Sequence, residues 1–242
     1  MSQSSLPQQI RRLTPGESFR FRCHPGVACF NECCRELELA LTPYDVLNLK
    51  QALGLRSDLF LEQYAVIETT AGQVPRVYLG MRDDGRASCP FVAPQGCSVY
   101  HHRPGACRTY PIGRGAFQIA SGEIKEIHVL LSEPHCQGFA EDQHQEVPSW
   151  EEEQGLAPFK RYNDKLIAIL QHQRIKAGMQ LTAEQQRLFL LALYDLDAFR
   201  DYLRQHDPTA LAAVSGGNSP RDAEIALLEQ GITWLANELF PE

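Results

Sequence analysis

The sequence predicts an α+β fold, in which a small cysteine-rich region of short strands and helices is followed by a helical C-terminal part. Three observations lead to this prediction. All eight cysteines lie between Cys23 and Cys136, and none occurs in the more than one hundred residues that follow. Gly and Pro are frequent in that cysteine-bearing part, and they interrupt regular structure and favour short elements. Residues 150–242 instead carry helix-capping residues followed by apolar residues at helical spacing.

The strands of the first part are predicted from alternation of apolar and other residues. Leu37, Leu39 and Leu41 alternate in this way, which favours a short strand. Residues 74–81 form a second candidate strand, and residues 116–131 are typical of a hairpin that turns at Ser121-Gly122.

The helices are predicted from their capping residues. Thr42 precedes Pro43, which suits the first helical position, and Gly54 can end that helix. Ser57 is predicted to cap a second helix. Four helices are expected in the C-terminal part, at about 158–172, after Thr182, at about 195–205 and from Ser219-Pro220 to about 239.

The composition divides the chain into a leader at 1–20, a cysteine-cluster metal-binding domain at 21–140 and a helical region at 150–242. The boundary is placed in the acidic, Gln-rich stretch at 141–153. Ser215–Asn218 are expected to form a flexible break before the last helix.

Charge and hydropathy exclude several classes of protein. The net charge of −7 argues against a nucleic-acid partner, because binding phosphates requires a basic face. The longest apolar run, Leu188–Tyr194, is too short to cross a bilayer, so no membrane is expected. The polar first residues lack the apolar stretch of a secretory signal, so we expect a cytoplasmic protein whose thiols stay reduced.

The spacing of the cysteines indicates a metal site. Four of them lie within twelve residues, at 23, 29, 33 and 34, and thiolates are soft ligands that favour zinc, iron–sulfur clusters or copper(I). Gly26, Gly96 and Gly105 allow the tight turns that would bring the thiols together. Structural disulfides and buried apolar thiols remain the alternative interpretations.

The adjacent pair Cys33-Cys34 restricts the geometry. Neighbouring side chains point to opposite faces of a strand and diverge by about 100° on a helix, so these two are not expected to bind one ion together. One of them could serve a second metal, bridge two metals or pack in the core. Eight thiols would suffice for two four-cysteine sites, which leaves the number of sites open.

Two segments resemble a known family. They are Phe21-Arg-Cys-His-Pro-Gly-Val-Ala-Cys-Phe-Asn-Glu-Cys-Cys34, and the run from Cys89-Pro-Phe-Val through Gly96-Cys-Ser-Val-Tyr to Arg103-Pro-Gly-Ala-Cys-Arg-Thr-Tyr-Pro111. Over about residues 20–140 they are similar to the bacterial cysteine-cluster family, also called YkgJ-like and CxxCxxCC-type, which is described as a zinc- or iron-chelating domain. The spacing from Cys23 to Cys29 is wider than the C-x-x-C opening of the commonest members.

The resemblance implies that the cysteines hold zinc or iron, the latter in an iron–sulfur cluster as one option. The implied ligands are Cys23, Cys29, Cys33, Cys34, Cys89, Cys97 and Cys107, with Cys136 as the extra late cysteine of longer members. The family has no firm general activity, so it implies a metal ion as partner and leaves catalytic residues and protein partners unknown.

Polar residues beside Cys107 are candidates for a binding role. Arg103, Arg108 and Tyr110 could hydrogen-bond the ligating sulfurs or line a pocket for a cofactor or carboxylate. Arg108 could equally form a salt bridge or pack its stem. The histidines beside cysteines are more typical of surface residues than of ligands.

Three hypotheses for function follow from the sequence. The preferred one is a metal-binding protein of the cytosol in which Cys thiolates hold the ion. The alternatives are a metal- or iron–sulfur-dependent redox or protein-modifying enzyme, which needs an open coordination position, and a metal-trafficking or interaction protein, which holds its ion loosely.

Overall fold

The computed structural model describes residues 9–214 and 219–241 and has the predicted α+β fold. The strands are β1 Gln9–Leu13, β2 Ser18–Arg20, β3 Ala65–Glu68, β4 Arg76–Leu79, β5 Val92–Ala93, β6 Gly96–Cys97, β7 Ile112–Gln118, β8 Ile124–Ser132 and β9 His144–Glu146. The helices are α1 Pro43–Leu53, α2 Ser57–Tyr64, α3 Gly105–Thr109, α4 Val147–Glu153, α5 Ala157–Leu170, α6 Gln173–Lys176, α7 Ala183–Leu193, α8 Leu196–His206, α9 Pro208–Val214 and α10 Pro220–Leu239.

The chain forms two compact units that interleave along the sequence. One unit extends to Leu37 and resumes at Met81–Arg161, and the other comprises Glu38–Gly80 and the chain from Tyr162 onwards. All eight cysteines belong to the first of these, which we call the cysteine unit. The division into 1–20, 21–140 and 150–242 stays a prediction, and its part at residues 1–8 and the break expected at Ser215–Asn218 lie outside the described residues.

The cysteine unit is built on an antiparallel sheet with strand order β1-β8-β7. In this sheet Ile112 pairs with Leu130, and Leu13 pairs with His128. A second ladder joins β2 to β9, and β5 with β6 forms a short hairpin. Apolar side chains of this unit form a core cluster that contains Leu13, Phe19, Phe21, Ile112 and Trp150.

Two segments of this unit are more ordered than the sequence suggested. Residues 9–20, assigned to a leader, contain β1 and β2, whose partners β8 and β9 lie more than one hundred residues away. The acidic stretch at 141–153, assigned to a boundary, forms β9 and α4. Trp150 on α4 is 6% exposed, and its Nε1 donates to the Thr109 carbonyl at 2.9 Å, which attaches the helix to the core.

The second unit is mainly helical, and several of its caps were predicted. Thr42 Oγ accepts from the Asp45 N–H, and the Asp45 carboxylate accepts from the Thr42 N–H at 2.8 Å, so α1 begins with a reciprocal cap. Gly54 ends α1 with a φ of +66°. Thr182 caps α7, and α5, α8 and α10 lie close to their predicted positions.

Two local predictions for this unit differ from the structure. Ser57 is the first residue of α2 rather than its cap, because its hydroxyl bonds the carboxylates of Asp195 and Asp197 at 2.8 and 2.9 Å. Residues 37–41 are extended but form no named strand. Leu41 N–H donates to Val77 and Leu39 accepts from Leu79, so this segment borders β4, which itself pairs with β3.

A buried charge network holds helices of the second unit together. Lys50 Nζ, 3% exposed, lies 2.9 Å from Asp197 Oδ2 and 2.5 Å from Glu224 Oε1. Asp197 also accepts from the Ser57 N–H at 2.8 Å and from Arg200 at 2.9 Å. These bonds join α1, α2, α8 and α10, and every charge of the network has a partner of opposite sign.

Within the residues that the structure describes, no helix has both the length and the apolar character needed to cross a membrane.

Candidate metal centre

The eight cysteines come from several separate segments of the cysteine unit. Cys23 follows β2, and Cys29 precedes a single 3₁₀ turn at Glu32–Cys34 that carries Cys33 and Cys34. The other four lie at separate places: Cys89 precedes the β5–β6 hairpin, Cys97 ends it, Cys107 lies on α3, and Cys136 follows β8. All eight are free thiols, so no disulfide links them.

The 3₁₀ turn is tied to the β5–β6 hairpin by backbone bonds. Asn31, at a φ of +71°, begins the turn, and its side-chain amide donates to the Ala93 carbonyl at 3.1 Å. The Cys89 N–H donates to the Cys34 carbonyl at 2.8 Å, and Arg35 forms a bridge with Ser88. These contacts hold Cys34 and Cys89 side by side.

A different set of bonds brings Cys136 to the N-terminal cysteines. The Arg22 N–H donates to the Gly138 carbonyl at 3.0 Å, and the Gln137 N–H donates to the Cys29 sulfur at 3.1 Å. Gly138 is buried, and an added Cβ would lie 2.7 Å from Phe21 Cε2. Only glycine therefore allows the chain beside Cys136 to approach this closely.

Charge interactions connect the thiols into one cluster. Cys23 is influenced by Cys29, Cys33 and Cys136. Cys34 shares a hydrogen bond with Cys33 and is influenced by Cys89 and Cys107. Cys97 interacts with both Cys89 and Cys33. The fold thus gathers all eight cysteines that the sequence indicated.

Cys33 has the lowest pKa among the cysteines whose pKa is shifted. Its sulfur accepts a hydrogen bond from Cys34, and this bond lowers the pKa of Cys33 to about 7, although burial opposes the shift. The same bond raises the pKa of Cys34, and burial raises it further. One proton is therefore held between the two sulfurs, on Cys34.

The remaining shifted thiols are held neutral by their surroundings. Cys23 keeps part of its side chain in solvent, but burial of the thiol raises its pKa to about 11, with a further rise from Cys33. Burial also raises the pKa of Cys89, Cys97 and Cys136. A metal ion that binds these thiols must displace their protons.

Backbone N–H groups are directed at several of the sulfurs, a feature that sequence analysis missed. The thiols of Cys89, Cys97 and Cys136 each accept a hydrogen bond from the backbone N–H two residues ahead. These N–H groups belong to Phe91, Val99 and Gly138 respectively. The Phe91 N–H lies 3.5 Å from its sulfur. Such donors favour the thiolate form and tune metal–sulfur bonds. The glycines and prolines beside these cysteines were the sequence signal for turns that direct N–H groups inwards.

The sulfurs are gathered but not converged on one point. Among the described residues, one group of three His, Cys, Asp or Glu side chains has ligand atoms that all lie within 4.8 Å of each other. This group consists of Glu126, His128 and Glu151. No three cysteine sulfurs of the described chain meet that criterion. Pairs of sulfurs do approach each other, because Cys33 and Cys34 share a hydrogen bond.

The group at Glu126, His128 and Glu151 already contains its counter-charges. Lys160 Nζ lies 2.8 Å from Glu151 and 3.1 Å from Glu126, and Arg114 Nε lies 2.6 Å from Glu126. His128 Nε2 lies 3.3 Å from Glu151. This arrangement is an ion-pair network on β7, β8, α4 and α5.

The two arginines beside Cys107 have different roles in the structure. Arg103 lies over the Tyr100 ring at 3.9 Å and bonds Gln154, and its positive charge acts on the thiols of Cys23 and Cys97. Arg108 donates to the carbonyls of Arg103 at 3.1 Å, Gln154 at 3.0 Å and His101. Arg108 therefore fastens chain segments together, whereas Arg103 offers charge to the cluster.

Tyr110 has a buried hydroxyl at the edge of the cluster. This oxygen has no hydrogen bond of ordinary geometry within the described residues, although it lies against Cys136. Burial raises the pKa of Tyr110, and Cys136 raises it further, so the hydroxyl keeps its proton. It can donate to Cys136 once that sulfur is a thiolate.

The histidine beside Cys23 is occupied elsewhere. His24 Nδ1 accepts from the Gly26 N–H at 3.1 Å, and Nε2 lies 3.1 Å from Glu141. Both ring nitrogens thus have partners, in line with the surface role expected for it.

The residues present fit a thiolate-bound metal. The donors are free cysteine sulfurs, backbone N–H groups support them, and the buried Tyr110 hydroxyl lacks an acceptor until a thiolate forms beside it. Soft sulfur donors in this number suit zinc, iron and iron–sulfur centres.

Comparison with known proteins finds a family model that matches the cysteine-bearing residues. Residues 22–137 match the model of the CxxCxxCC family, described as a "putative zinc- or iron-chelating domain". No curated protein and no solved structure matches the chain. The matched residues contain every cysteine of the cluster. The match over residues 22–137 agrees with the cysteine-cluster family that the sequence resembles.

Proposed function

We propose that the cysteine unit binds zinc or iron through cysteine thiolates and that this is the function of the protein in the cytosol. The observation that carries the proposal is the gathering of eight free thiols, with backbone N–H groups directed at their sulfurs. Inert buried cysteines need no such donors, because a neutral thiol is only a weak acceptor. Reduced thiols persist in the cytosol, where disulfides are rare.

The proposed ligands are the cysteines of the cluster, and two polar residues support them. Arg103 would offset part of the negative charge that accumulates when several thiols ionise. Tyr110 would donate its buried hydroxyl to Cys136. When bound, zinc would supply structural cross-links and iron would add redox chemistry.

The test is to replace single cysteines and measure metal content and stability together. Cys33→Ser removes the thiol at the centre of the cluster, and Cys107→Ser removes the one on α3. Each variant should lose metal and unfold at lower denaturant, because ligand convergence contributes to the folding free energy. His135→Ala is the matched control, since its exposed ring pairs with Glu133 and should leave metal content unchanged.

The contradicting outcome is full metal content in both cysteine variants. It would show that neither Cys33 nor Cys107 is a ligand.

A second candidate function, metal exchange with a partner, is favoured by the accessibility of two thiols. Cys23 and Cys33 each keep part of their surface in solvent although their thiols are partly buried, so an incoming ligand could reach them. Exchange predicts that a chelator removes the metal within minutes from the folded protein. If the metal stayed bound through prolonged chelator treatment, metal exchange would be excluded and the structural role would remain.

A further inference from the structure

The cluster contains more donors than one metal ion can use. A single zinc or iron in a closed thiolate site takes about four cysteines. The cysteine unit has eight free thiols, and charge interactions connect them into a single cluster. A mononuclear site would therefore leave several neighbouring thiols without a role.

The spacing of the sulfurs also differs from that of a mononuclear site. With zinc–sulfur bonds of about 2.3 Å in a tetrahedron, the sulfurs lie about 3.8 Å apart. No three cysteine sulfurs among the described residues lie within 4.8 Å of one another. Such spacing suits thiolates that bind different atoms of one iron–sulfur cluster, whereas a pair of zinc ions would need the sulfurs around each ion to move closer on binding.

The chain divides the thiols into two groups that meet at Cys33 and Cys34. On one side, the bonds from the Arg22 N–H to the Gly138 carbonyl and from the Gln137 N–H to the Cys29 sulfur bring Cys136 to Cys23 and Cys29. On the other side, the Cys89 N–H donates to the Cys34 carbonyl at 2.8 Å, and Cys34 also interacts electrostatically with Cys107. The 3₁₀ turn at Glu32–Cys34 supplies one cysteine to each group.

Backbone donors support sulfurs in both groups, which argues against one group being inert packing. The Gln137 N–H lies 3.1 Å from the sulfur of Cys29 in the first group. The Phe91 N–H lies 3.5 Å from the sulfur of Cys89 in the second. A cysteine that only fills core space acts as a small apolar side chain and gains little from such donors.

We propose that the cluster is a polynuclear centre, which binds at least two metal atoms per chain and in which Cys33 and Cys34 join the two groups of thiolates. The inference rests on the proposed function, since it adds the number and arrangement of metal atoms to a thiolate site. Both an iron–sulfur cluster and a pair of zinc ions have the required chemistry.

The experiment counts metal atoms in the full chain. The protein is purified anaerobically, and zinc, iron, acid-labile sulfide and protein are quantified. Metal-free protein is then titrated with Co²⁺ alone, and the absorption of its thiolate complex gives the saturating number of ions. We expect at least two metal atoms per chain in the purified protein or at saturation, with sulfide if the metal is iron.

Variants test whether both groups of thiols take part. Cys29→Ser and Cys89→Ser remove one sulfur from each group, and each should lower the saturating metal count by at least one atom relative to His135→Ala. If one variant fails to fold, the count for the unmodified chain still decides the question.

The possible counts separate the two proposals. One metal atom per chain, with one cysteine variant at full content, would overturn the polynuclear centre and leave the thiolate site intact. No bound metal in either experiment would overturn both.

Discussion

The close approach at Gly138 makes a substitution there a sensitive test of how the centre is assembled. In Gly138→Ala, the new Cβ would lie 2.7 Å from Phe21 Cε2 and 2.8 Å from the Arg22 carbonyl oxygen. Ordinary contacts are about 3.5 Å or longer, so the two segments must separate by about 0.7 Å. Because the Arg22 oxygen is backbone, a side-chain rotation cannot relieve the clash. The separation would move Cys136 away from Cys23, whose thiols now interact.

The expected loss of stability follows from three contributions. Overpacking costs about 1–3 kcal/mol, with the backbone clash placing this case towards the upper end. The bond from the Arg22 N–H to the Gly138 carbonyl, now 3.0 Å, would lengthen and cost about 1 kcal/mol. Alanine returns about 0.4–1 kcal/mol by restricting the unfolded chain. The net destabilisation is about 2–3 kcal/mol.

The assay is denaturant unfolding of the metal-loaded protein, followed by competition with a chelator. Gly80→Ala is the matched control, because its Cβ would meet its nearest neighbour, the Tyr64 carbonyl oxygen, at 3.4 Å. Gly138→Ala should unfold earlier and release metal at lower chelator concentration than this control. If the two variants were equally stable and held metal equally well, the close approach beside Cys136 would have no importance for the centre.

Three further predictions concern charged groups elsewhere. Lys50→Met strands the carboxylates of Asp197 and Glu224 and should cost about 3–5 kcal/mol in denaturant unfolding, whereas a cost below about 1 kcal/mol would contradict the buried network. Burial raises the pKa of Asp197, but Lys50 and Ser57 lower it by more, so its net pKa falls below the ordinary 3.8. The stabilisation by Asp197 should therefore be complete above about pH 4 and be lost on further acidification. Asp197→Asn should reduce this dependence of the unfolding free energy on pH, and an unchanged slope would refute the prediction. In Arg108→Lys, the ammonium group cannot bond all three carbonyls that the guanidinium bonds. The unfolding free energy should fall by about 1–3 kcal/mol with no change in bound metal, and an unchanged unfolding free energy would contradict the role of Arg108 in joining these segments.

Local signals in the sequence predicted much of the helical structure. Thr42 and Thr182 each bond a residue three positions ahead, so four consecutive residues contain the whole interaction. Ser57 failed as a cap because its hydroxyl bonds Asp195 and Asp197, far along the chain. Such long-range competition leaves no local pattern.

Residues 9–20 and 141–153 also depend on contacts that are distant in sequence. Residues 9–20 become strands because β8 and β9 pair with them, and neither partner is near in sequence. The stretch at 141–153 is polar apart from a few residues, yet Trp150 packs in the core and bonds Thr109. Trp150 thus attaches α4 to the core through contacts that the average composition of the stretch does not show.

The sequence indicates the candidate thiols, whereas it does not predict their arrangement. Cysteine spacing and family resemblance point to these thiols, since the chemistry of sulfur ligands is a property of the residues themselves. Which thiols are neighbours depends on contacts such as that between Cys29 and the Gln137 N–H, which are 108 residues apart. The role of Arg108 was likewise decided by carbonyls that its guanidinium reaches only in the folded chain.

The most direct test of thiolate binding is X-ray absorption spectroscopy at the edge of the metal bound to anaerobically purified protein. The account predicts nearest neighbours that are mainly sulfur, at about 2.3 Å from the metal. A shell of nitrogen and oxygen at about 2.0–2.2 Å would contradict it, because it would place the metal away from the cysteines.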